Sequence, residues 1–456
     1  MLNPEIFREY DIRGIADRDL RDEQVVLLGR AIGTYFRERG KSRMTVGRDV
    51  RLSSERIHSR FIEGALACGV DVLDLGECPT PLLYYSLYRL NPDGGIMVTG
   101  SHNPAEYNGL KVALGRSTIH GPEIQKIRML AEREDFHSGA GRLEQAGLMD
   151  DYFAELERSV RLKSDLKVVV DCGNGAASLL ADKLYAALGC TVRALYCEAD
   201  GRFPNHHPDP TVAENLKDLS EEVRLQGADL GIAFDGDADR IGVVDERGRI
   251  LWGDDLMIVF SRNILVAHPG ATIIAEVKCS KRLYDEIERL GGKAIMWKAG
   301  HSLIKSKMAE ENALLGGEMS GHMFFRDRHY GYDDAIYAGA RLLEILSASG
   351  RKLSEALADI PETYSTPEIR VDCPDRIKFR VVEKAREYFS KRHRTIEVDG
   401  VRIEFSDGWG LVRASNTQPV LVLRFEADTQ QRLREIRSQI EAKVQKFVKL
   451  AGSGEV

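Results

Sequence analysis

Two short stretches hold the residues on which chemistry could turn. Thr99-Gly100-Ser101-His102-Asn103-Pro104 follows the apolar run Ile96-Met97-Val98, which reads as the end of a buried strand. Gly, Asn and Pro then force an abrupt turn. A serine at the tip of a turn held by a strand presents its hydroxyl on a rigid base, which suits a nucleophile or a phosphoryl carrier. The neighbouring His102 could orient or deprotonate it. An ordinary strand-to-loop turn explains the same six residues equally well. The second stretch is Asp235-Gly236-Asp237-Ala238-Asp239-Arg240, which also follows an apolar run. Three carboxylates at alternating positions repel one another unless a cation sits among them, and an all-oxygen donor set favours Mg²⁺ or Ca²⁺.

Two other uses of such an acidic run compete. An EF-hand also spaces Asp this way, and Glu246 falls at its twelfth position. Its sixth position, however, needs Gly and here holds Arg240, and both flanks read as strands rather than helices. A haloacid-dehalogenase-type phosphotransferase uses D-x-D-x-T/V after a strand, with the first Asp as nucleophile. Here the fifth residue is Asp239 and the run lies mid-chain, which leaves an aspartyl phosphate on Asp235 as the runner-up chemistry.

Further polar loops could serve the same chemistry. Arg240 either pairs with a carboxylate or holds a phosphoryl group, and its place beside the acidic run favours phosphate. Arg413-Ala414-Ser415-Asn416-Thr417-Gln418-Pro419 packs a guanidinium, hydroxyls and amides into one turn. That set matches phosphate oxygens or, more plainly, makes a capped polar turn. Glu318-Met319-Ser320-Gly321-His322 offers an acceptor, a donor and a titratable ring suited to sugar hydroxyls, with His322 able to move a proton near neutral pH. His301, after Gly300, could neighbour a helix cap or touch a ligand. His206 and His207 look like a metal pair, but adjacent residues on an extended segment point to opposite sides, so loop packing is expected.

The elements that must position these loops alternate in type. Apolar strands near 45–46, 70–75, 166–171, 228–234, 272–278 and 293–298 alternate with amphipathic helices near 22–39, 53–68 and 333–348. This predicts an α/β layer architecture. Three units of roughly a hundred residues each carry a strand, a polar turn and a helix, which predicts a threefold duplication of one module. A polar helical stretch over 123–159 carries the first boundary, and the proline-flanked segment 361–367 carries the last. The tail reads as an α+β domain ending in a charged helix near 430–448.

Bulk properties narrow the class. The chain has 456 residues, 43% hydrophobic and 30% charged, with a net charge of −7. Several soluble domains are expected, and no basic field for nucleic acid is present. No apolar run nears the ~18 residues needed to span a bilayer, and Met1 to Tyr10 is not a signal peptide. The seven Cys include no C-x-x-C pair, so free thiols in a reducing cytoplasm are expected.

Taken together and in this order, Tyr10-Asp11-Ile12-Arg13-Gly14, Thr99 to Pro104, Asp235 to Arg240, Trp297-Lys298-Ala299-Gly300-His301, Gly317 to His322 and Arg413 to Pro419 resemble the α-D-phosphohexomutase superfamily. The likeness is greatest to its bacterial phosphomannomutase/phosphoglucomutase group and spans essentially the whole chain. It implies three related mixed-sheet α/β domains plus a C-terminal α+β phosphate-binding domain around a central cleft. Their expected bounds are 1–147 (phosphoserine), 148–249 (metal), 250–361 (sugar) and 362–456 (phosphate).

The resemblance implies a phosphoserine at Ser101, with Thr99, Gly100, His102 and Asn103 forming its loop and Asp235, Asp237 and Asp239 joining it around Mg²⁺. Hexose 1-phosphate and 6-phosphate, of mannose or glucose, would interconvert through a hexose 1,6-bisphosphate, with glucose or mannose 1,6-bisphosphate as activator. Substrate positions fall on Tyr10, Arg13, Lys278, His301, Glu318, Met319, Ser320, Gly321, His322, Arg413, Ser415, Asn416 and Thr417. Lys111 and His322 match the proposed acid/base positions, and Arg240 an arginine beside the metal loop. Ala299 departs from the Thr frequent in this group. Met319 favours the glucose/mannose type over glucosamine phosphate, which is the alternative substrate. The expectation is a cytoplasmic monomer that binds a phosphosugar, with a hinge at 361–367.

Overall fold

The computed structural model describes residues 2–415 and 419–452. Each of the first three units is built on the same strand order. In the first sheet, Asp71–Glu77, Arg43–Arg48 and Gly94–Val98 lie side by side and parallel, and Tyr107–Leu114 returns antiparallel. In the second, Thr191–Leu195, Lys167–Asp171 and Leu230–Phe234 run parallel and Ile241–Asp245 returns. In the third, Lys293–Trp297, Thr272–Glu276 and Leu315–Gly317 run parallel and Met323–Phe325 returns. The order second-first-third-fourth thus occurs three times, as the repeat in the sequence predicts.

The central strands are buried over nearly their whole length, as in Leu230–Phe234 and Gly94–Val98. Continuous apolar runs rather than alternation are what a sheet covered on both faces requires. The connection between the third and fourth strands is a tight turn without a helix. It is residues 99–106 in the first unit, 235–240 in the second and 318–322 in the third. The three polar loops singled out in the sequence therefore occupy one topological place, at the carboxyl ends of parallel strands, where open α/β sheets place their ligands.

The first three units share apolar packing. One cluster joins Leu83 and Tyr85 of the first to Tyr152, Val170 and Phe234 of the second and Phe260 and Tyr337 of the third. The fourth unit has its own core under an antiparallel sheet, including Val401–Phe405, Gly408–Ala414 and Val420–Ala427, covered by helices Asp375–Phe389 and Gln430–Gly452. A small cluster of Val277, Trp409 and Leu411 joins it to the third unit.

Two expectations need correction. The polar stretch 123–159 is not continuously helical: helix Pro122–Arg133 stops at Glu134 in a left-handed conformation, and strand Leu143–Gln145 intervenes before helix Met149–Ser159. In the expected hinge, Tyr364 and Ser365 already pair with Ala427 and Glu426. The connection that is free of the last sheet lies before Tyr364.

Candidate active site

Ser101 sits at the tip of its turn with φ at +49° and is buried. A non-glycine residue in that region is held there by its surroundings, and the restraints are visible. Its N–H donates to Thr99 Oγ1 at 2.8 Å, and Thr99 Oγ1 in turn donates to Asp49 Oδ2 at 2.7 Å. Asp49 Oδ2 also accepts Gly100 N–H at 3.2 Å. The fully buried Arg51 guanidinium reaches four carbonyls of the same loop: Ser101 and Asn103 at 2.6 Å from Nη2, and Pro104 at 2.6 Å and Tyr107 at 3.0 Å from Nη1. Arg13 adds Nη1 bonds to Asn103 Oδ1 at 2.8 Å and Gly100 O at 3.2 Å.

The hydroxyl faces the acidic loop. Ser101 Oγ donates to Asp235 Oδ2 at 3.0 Å, and His102 Nδ1 lies 3.2 Å away on the other side. Gly236 is required here because a Cβ would stand 2.4 Å from Ser101 O. Burial and the neighbouring Asp239 and Asp237 carboxylates push the Asp235 carboxyl well above its ordinary range. Asp237 takes the opposite course: burial pushes it up, but the Lys111 ammonium outweighs that and holds it low. Lys111 Nζ, on strand Tyr107–Leu114, bonds Asp237 Oδ2 at 2.6 Å and also Asp239 Oδ2. Burial would lower the Lys111 pKa, yet Asp237 and Asp239 raise it overall, so the ammonium form is held. Thr80 Oγ1 donates to Asp237 Oδ2 at 2.5 Å.

A hard divalent cation fits this cluster. Ligand oxygens of Asp235, Asp237 and Asp239 lie within 4.8 Å of one another, and all three residues are buried. Asp237 Oδ1 and Asp239 Oδ1 are buried without a hydrogen-bond partner. An all-carboxylate donor set with unsatisfied oxygens suits Mg²⁺.

The third unit brings a proton-transfer group beside this loop. Arg240 Nε donates to His322 Nε2 at 2.9 Å, so that nitrogen carries no proton and the ring proton lies on Nδ1. His322 Nδ1 stands 3.2 Å from Asp333 Oδ2. His301 begins helix His301–Glu311 and stacks on His322 with ring centroids 5.6 Å apart. Burial and the nearby Lys305 hold the His301 ring well below its ordinary pKa. Gly300, at φ +129°, packs against the Tyr10 ring, and its N–H donates to Glu318 Oε1 at 2.6 Å. Tyr10 OH donates to Ala299 O at 2.9 Å and Ala299 N–H to Asp399 Oδ2 at 3.1 Å. Position 299 thus works through its backbone, which Ala preserves in place of Thr.

Glu318 is buried, while Met319 and Ser320 are half-buried. Met319 N–H donates to Glu276 Oε1 at 3.2 Å. A Cβ on Gly321 would stand 2.3 Å from Ile241 O, so Gly lets this loop lie against the second unit. Lys278 Nζ lies 3.2 Å from Glu368 and 3.4 Å from Glu276. Arg413 Nε donates to Asp399 Oδ2 at 2.6 Å, and Ser415 N–H to Val420 O at 3.0 Å. Asn416 and Thr417 lie outside the described residues. His206 packs in a loop, with Nε2 3.0 Å from Asp171 Oδ2. Asp49, Arg51, Thr80, Asp333, Glu276, Glu368 and Asp399 are not singled out by the sequence.

Known proteins match this arrangement along its whole length. Phosphoglucomutase/phosphomannomutase alpha/beta/alpha domains I, II and III match residues 4–138, 150–248 and 252–364, and the C-terminal domain of the same family matches 368–443. The chain belongs to the phosphoglucomutase/phosphomannomutase family. It is 48% identical over 434 residues to a phosphomannomutase/phosphoglucomutase of Pseudomonas aeruginosa, covering 95% of this chain and 94% of that one. It is 43% identical over 446 residues to a phosphoglucomutase of Neisseria meningitidis, covering 97% of each. A phosphoglucomutase/phosphomannomutase family protein of Burkholderia thailandensis superposes with a TM-score of 0.92 at 40% identity, over 100% of this chain and 99% of that one. This phosphoglucomutase/phosphomannomutase family member is therefore an enzyme of an isomerase family. Among its described residues, no helix is long and apolar enough to cross a membrane.

Proposed function

We propose that this chain interconverts hexose 1-phosphates and hexose 6-phosphates of both glucose and mannose, with Ser101 as a reusable phosphoryl carrier. The observation that carries the reading is the Ser101 hydroxyl, held at positive φ and aimed at Asp235 across 3.0 Å. Phosphoryl transfer needs positioning and charge neutralisation more than new covalent machinery. Asp235, Asp237 and Asp239, together with Ser101, would hold Mg²⁺, which supplies neutralisation of phosphoryl oxygens when bound.

Phosphorylated Ser101 gives its phosphoryl group to a free sugar hydroxyl, the P–O bond to serine breaking as the new one forms and the serine oxygen taking a proton from the Lys111 ammonium. The hydroxyl proton goes to His322. Arg240 now holds His322 Nε2; if it turns to the phosphoryl oxygens, it frees that nitrogen to take the proton, and Asp333 beside Nδ1 stabilises the resulting imidazolium. The 1,6-bisphosphate then returns its other phosphate to Ser101: the serine hydroxyl proton goes back to Lys111, and the His322 imidazolium protonates the departing sugar oxygen, so both groups are reset. Glucose or mannose 1,6-bisphosphate would therefore serve as activator.

The sugar is held by Glu318, Met319, Ser320, Gly321 and His301. Tyr10, Arg13 and Lys278 line its approach, and Arg413, Ser415, Asn416 and Thr417 form the distal phosphate site. Glu318 and Ser320 would address hydroxyls common to glucose and mannose, which supports dual specificity. Domain bounds at 147, 249 and 361 and a cytoplasmic location complete the reading.

The test is assay of both hexose 1-phosphates with Mg²⁺ and catalytic glucose 1,6-bisphosphate. The account expects 6-phosphate product from each, and loss of on the order of 10³-fold or more in turnover for Ser101→Ala at unchanged fold. Full activity of Ser101→Ala contradicts it.

A further inference from the structure

The second unit carries a pair of thiols that the proposed chemistry does not use. Cys172 follows strand Lys167–Asp171, and Cys197 follows strand Thr191–Leu195. These strands are parallel neighbours with Asp171 opposite Leu195, and Cys172 N–H donates to Leu195 O at 3.2 Å. The two sulfurs are 3.1 Å apart. Among the described residues Cys197 is the one half-buried cysteine, and the other six are buried. An oxidant arriving from solvent therefore meets Cys197 first, with a second thiol already in contact.

Backbone contacts lead from this pair to the acidic loop. Cys172 opens the turn Gly173-Asn174-Gly175, with Gly173 and Asn174 at positive φ. Ala176 N–H donates to Gly236 O at 2.9 Å, and a Cβ on Gly175 would stand 2.8 Å from that same oxygen. Gly236 in turn abuts Ser101 O. Asn174 N–H donates to Tyr196 O at 2.8 Å, so the Cys172 turn is also tied to the segment that carries Cys197.

We propose that Cys172 and Cys197 form an intramolecular disulfide under peroxide, and that this bond lowers mutase turnover by shifting the Gly175–Gly236 contact beneath the acidic loop. In the first step hydrogen peroxide oxidises the Cys197 thiol to a sulfenic acid and is itself reduced to water. In the second the Cys172 sulfur attacks the Cys197 sulfur. The S–O bond breaks, and the hydroxyl leaves with the Cys172 proton as a second water. A dithiol reductant reverses the change by thiol–disulfide exchange. Burial and the adjacent Cys197 push the Cys172 thiol well above its ordinary pKa, which makes it a poor first target; the 3.1 Å contact with the Cys197 sulfur places it as the resolving partner.

Bond formation closes the sulfurs by about 1 Å, to the ~2.05 Å of a disulfide. Displacements of that size near a reacting group cost up to roughly 10²-fold in rate, and partial transmission to Gly236 predicts a loss of about tenfold.

The test treats the full-length, Mg²⁺-loaded protein with hydrogen peroxide and follows cystine-linked peptides by mass spectrometry alongside turnover. The expected result is a Cys172–Cys197 cystine that lacks two hydrogens, a matching fall in turnover, and recovery of both on adding dithiothreitol. Cys197→Ser and Cys197→Ala should keep the untreated activity and resist peroxide. Absence of that cystine overturns the proposal, as does its formation with unchanged turnover, or equal peroxide sensitivity in both variants. The peptide mapping is independent of which sugar phosphate the protein converts.

Discussion

Ser101 and Asp235 are 134 residues apart in the chain and meet side chain to side chain at 3.0 Å. The serine belongs to the first unit and the carboxylate to the second, so the contact joins two copies of one topological loop. The candidate carrier thereby sits against the candidate metal site. Removing metal with EDTA should bring turnover to background while leaving secondary structure unchanged, and Mg²⁺ should restore it. Asp235→Asn should raise the Mg²⁺ concentration for half-maximal activity by about tenfold or more, because one charged ligand is lost. Both are read by titrating Mg²⁺ into metal-free protein.

Arg51 holds the Ser101 loop from beneath. Its guanidinium is buried, lies 3.3 Å from Asp49 and donates to four loop carbonyls. Arg51→Met leaves those carbonyls and the Asp49 charge without this partner. Breaking a buried pair in this way costs about 3–5 kcal/mol, so the denaturant midpoint should fall clearly. Arg51→Lys should keep the charge but lose the fork geometry, with a smaller loss of stability and a fall in kcat at little-changed KM.

Asp333 sets the charge behind His322. It lies 3.2 Å from His322 Nδ1 and accepts from Lys305 Nζ at 2.8 Å. Asp333→Asn removes the negative charge that stabilises an imidazolium, and kcat should fall by roughly 10²-fold, the lower end for general acid–base groups. Sugar phosphate affinity should change little. A KM effect with unchanged kcat would assign Asp333 to binding instead.

Acid stability reports on Glu368. Burial pushes this carboxyl up, but the Lys278 cation, with Arg370, outweighs it and brings the folded pKa down to about 2. The unfolded value is about 4.3, so the folded state binds fewer protons between the two. The stabilisation is present in full above about pH 4.3 and is lost as pH falls through about 2. Glu368→Gln should unfold more easily than the parent at neutral pH, and the gap should close between about pH 4 and 2. Thermal unfolding across that range checks it, and a pH-independent gap contradicts it.

What the sequence revealed and what it hid divide along a physical line. Ser101 and the three Asp stand out because local pattern places them: an apolar strand, then a turn rich in Gly and polar side chains. The repeat of strand, polar turn and helix pointed to one module used three times; that the Ser101, Asp235 and Glu318 loops occupy the same place in it is seen only in the fold. Asp49, Thr80, Asp333 and Asp399 were hidden because each matters through contacts with distant elements, such as Thr80 with Asp237 or Asp399 with Ala299 and Arg413. Their residue types are common, and nothing beside them in sequence marks the partner. Strand Leu143–Gln145 was missed for another reason. It is exposed along its length and joins the sheet edge through its backbone beside Asp71–Glu77, so it leaves no apolar alternation to read.

The central claim is that Ser101 carries the phosphoryl group, and phosphosite mapping of the protein after brief exposure to glucose 1,6-bisphosphate tests it most directly. The account predicts phosphate on Ser101, stable to hydroxylamine and transferred to glucose 1-phosphate or mannose 1-phosphate on chase. A hydroxylamine-labile acyl phosphate on Asp235, with Ser101 unmodified, would contradict it.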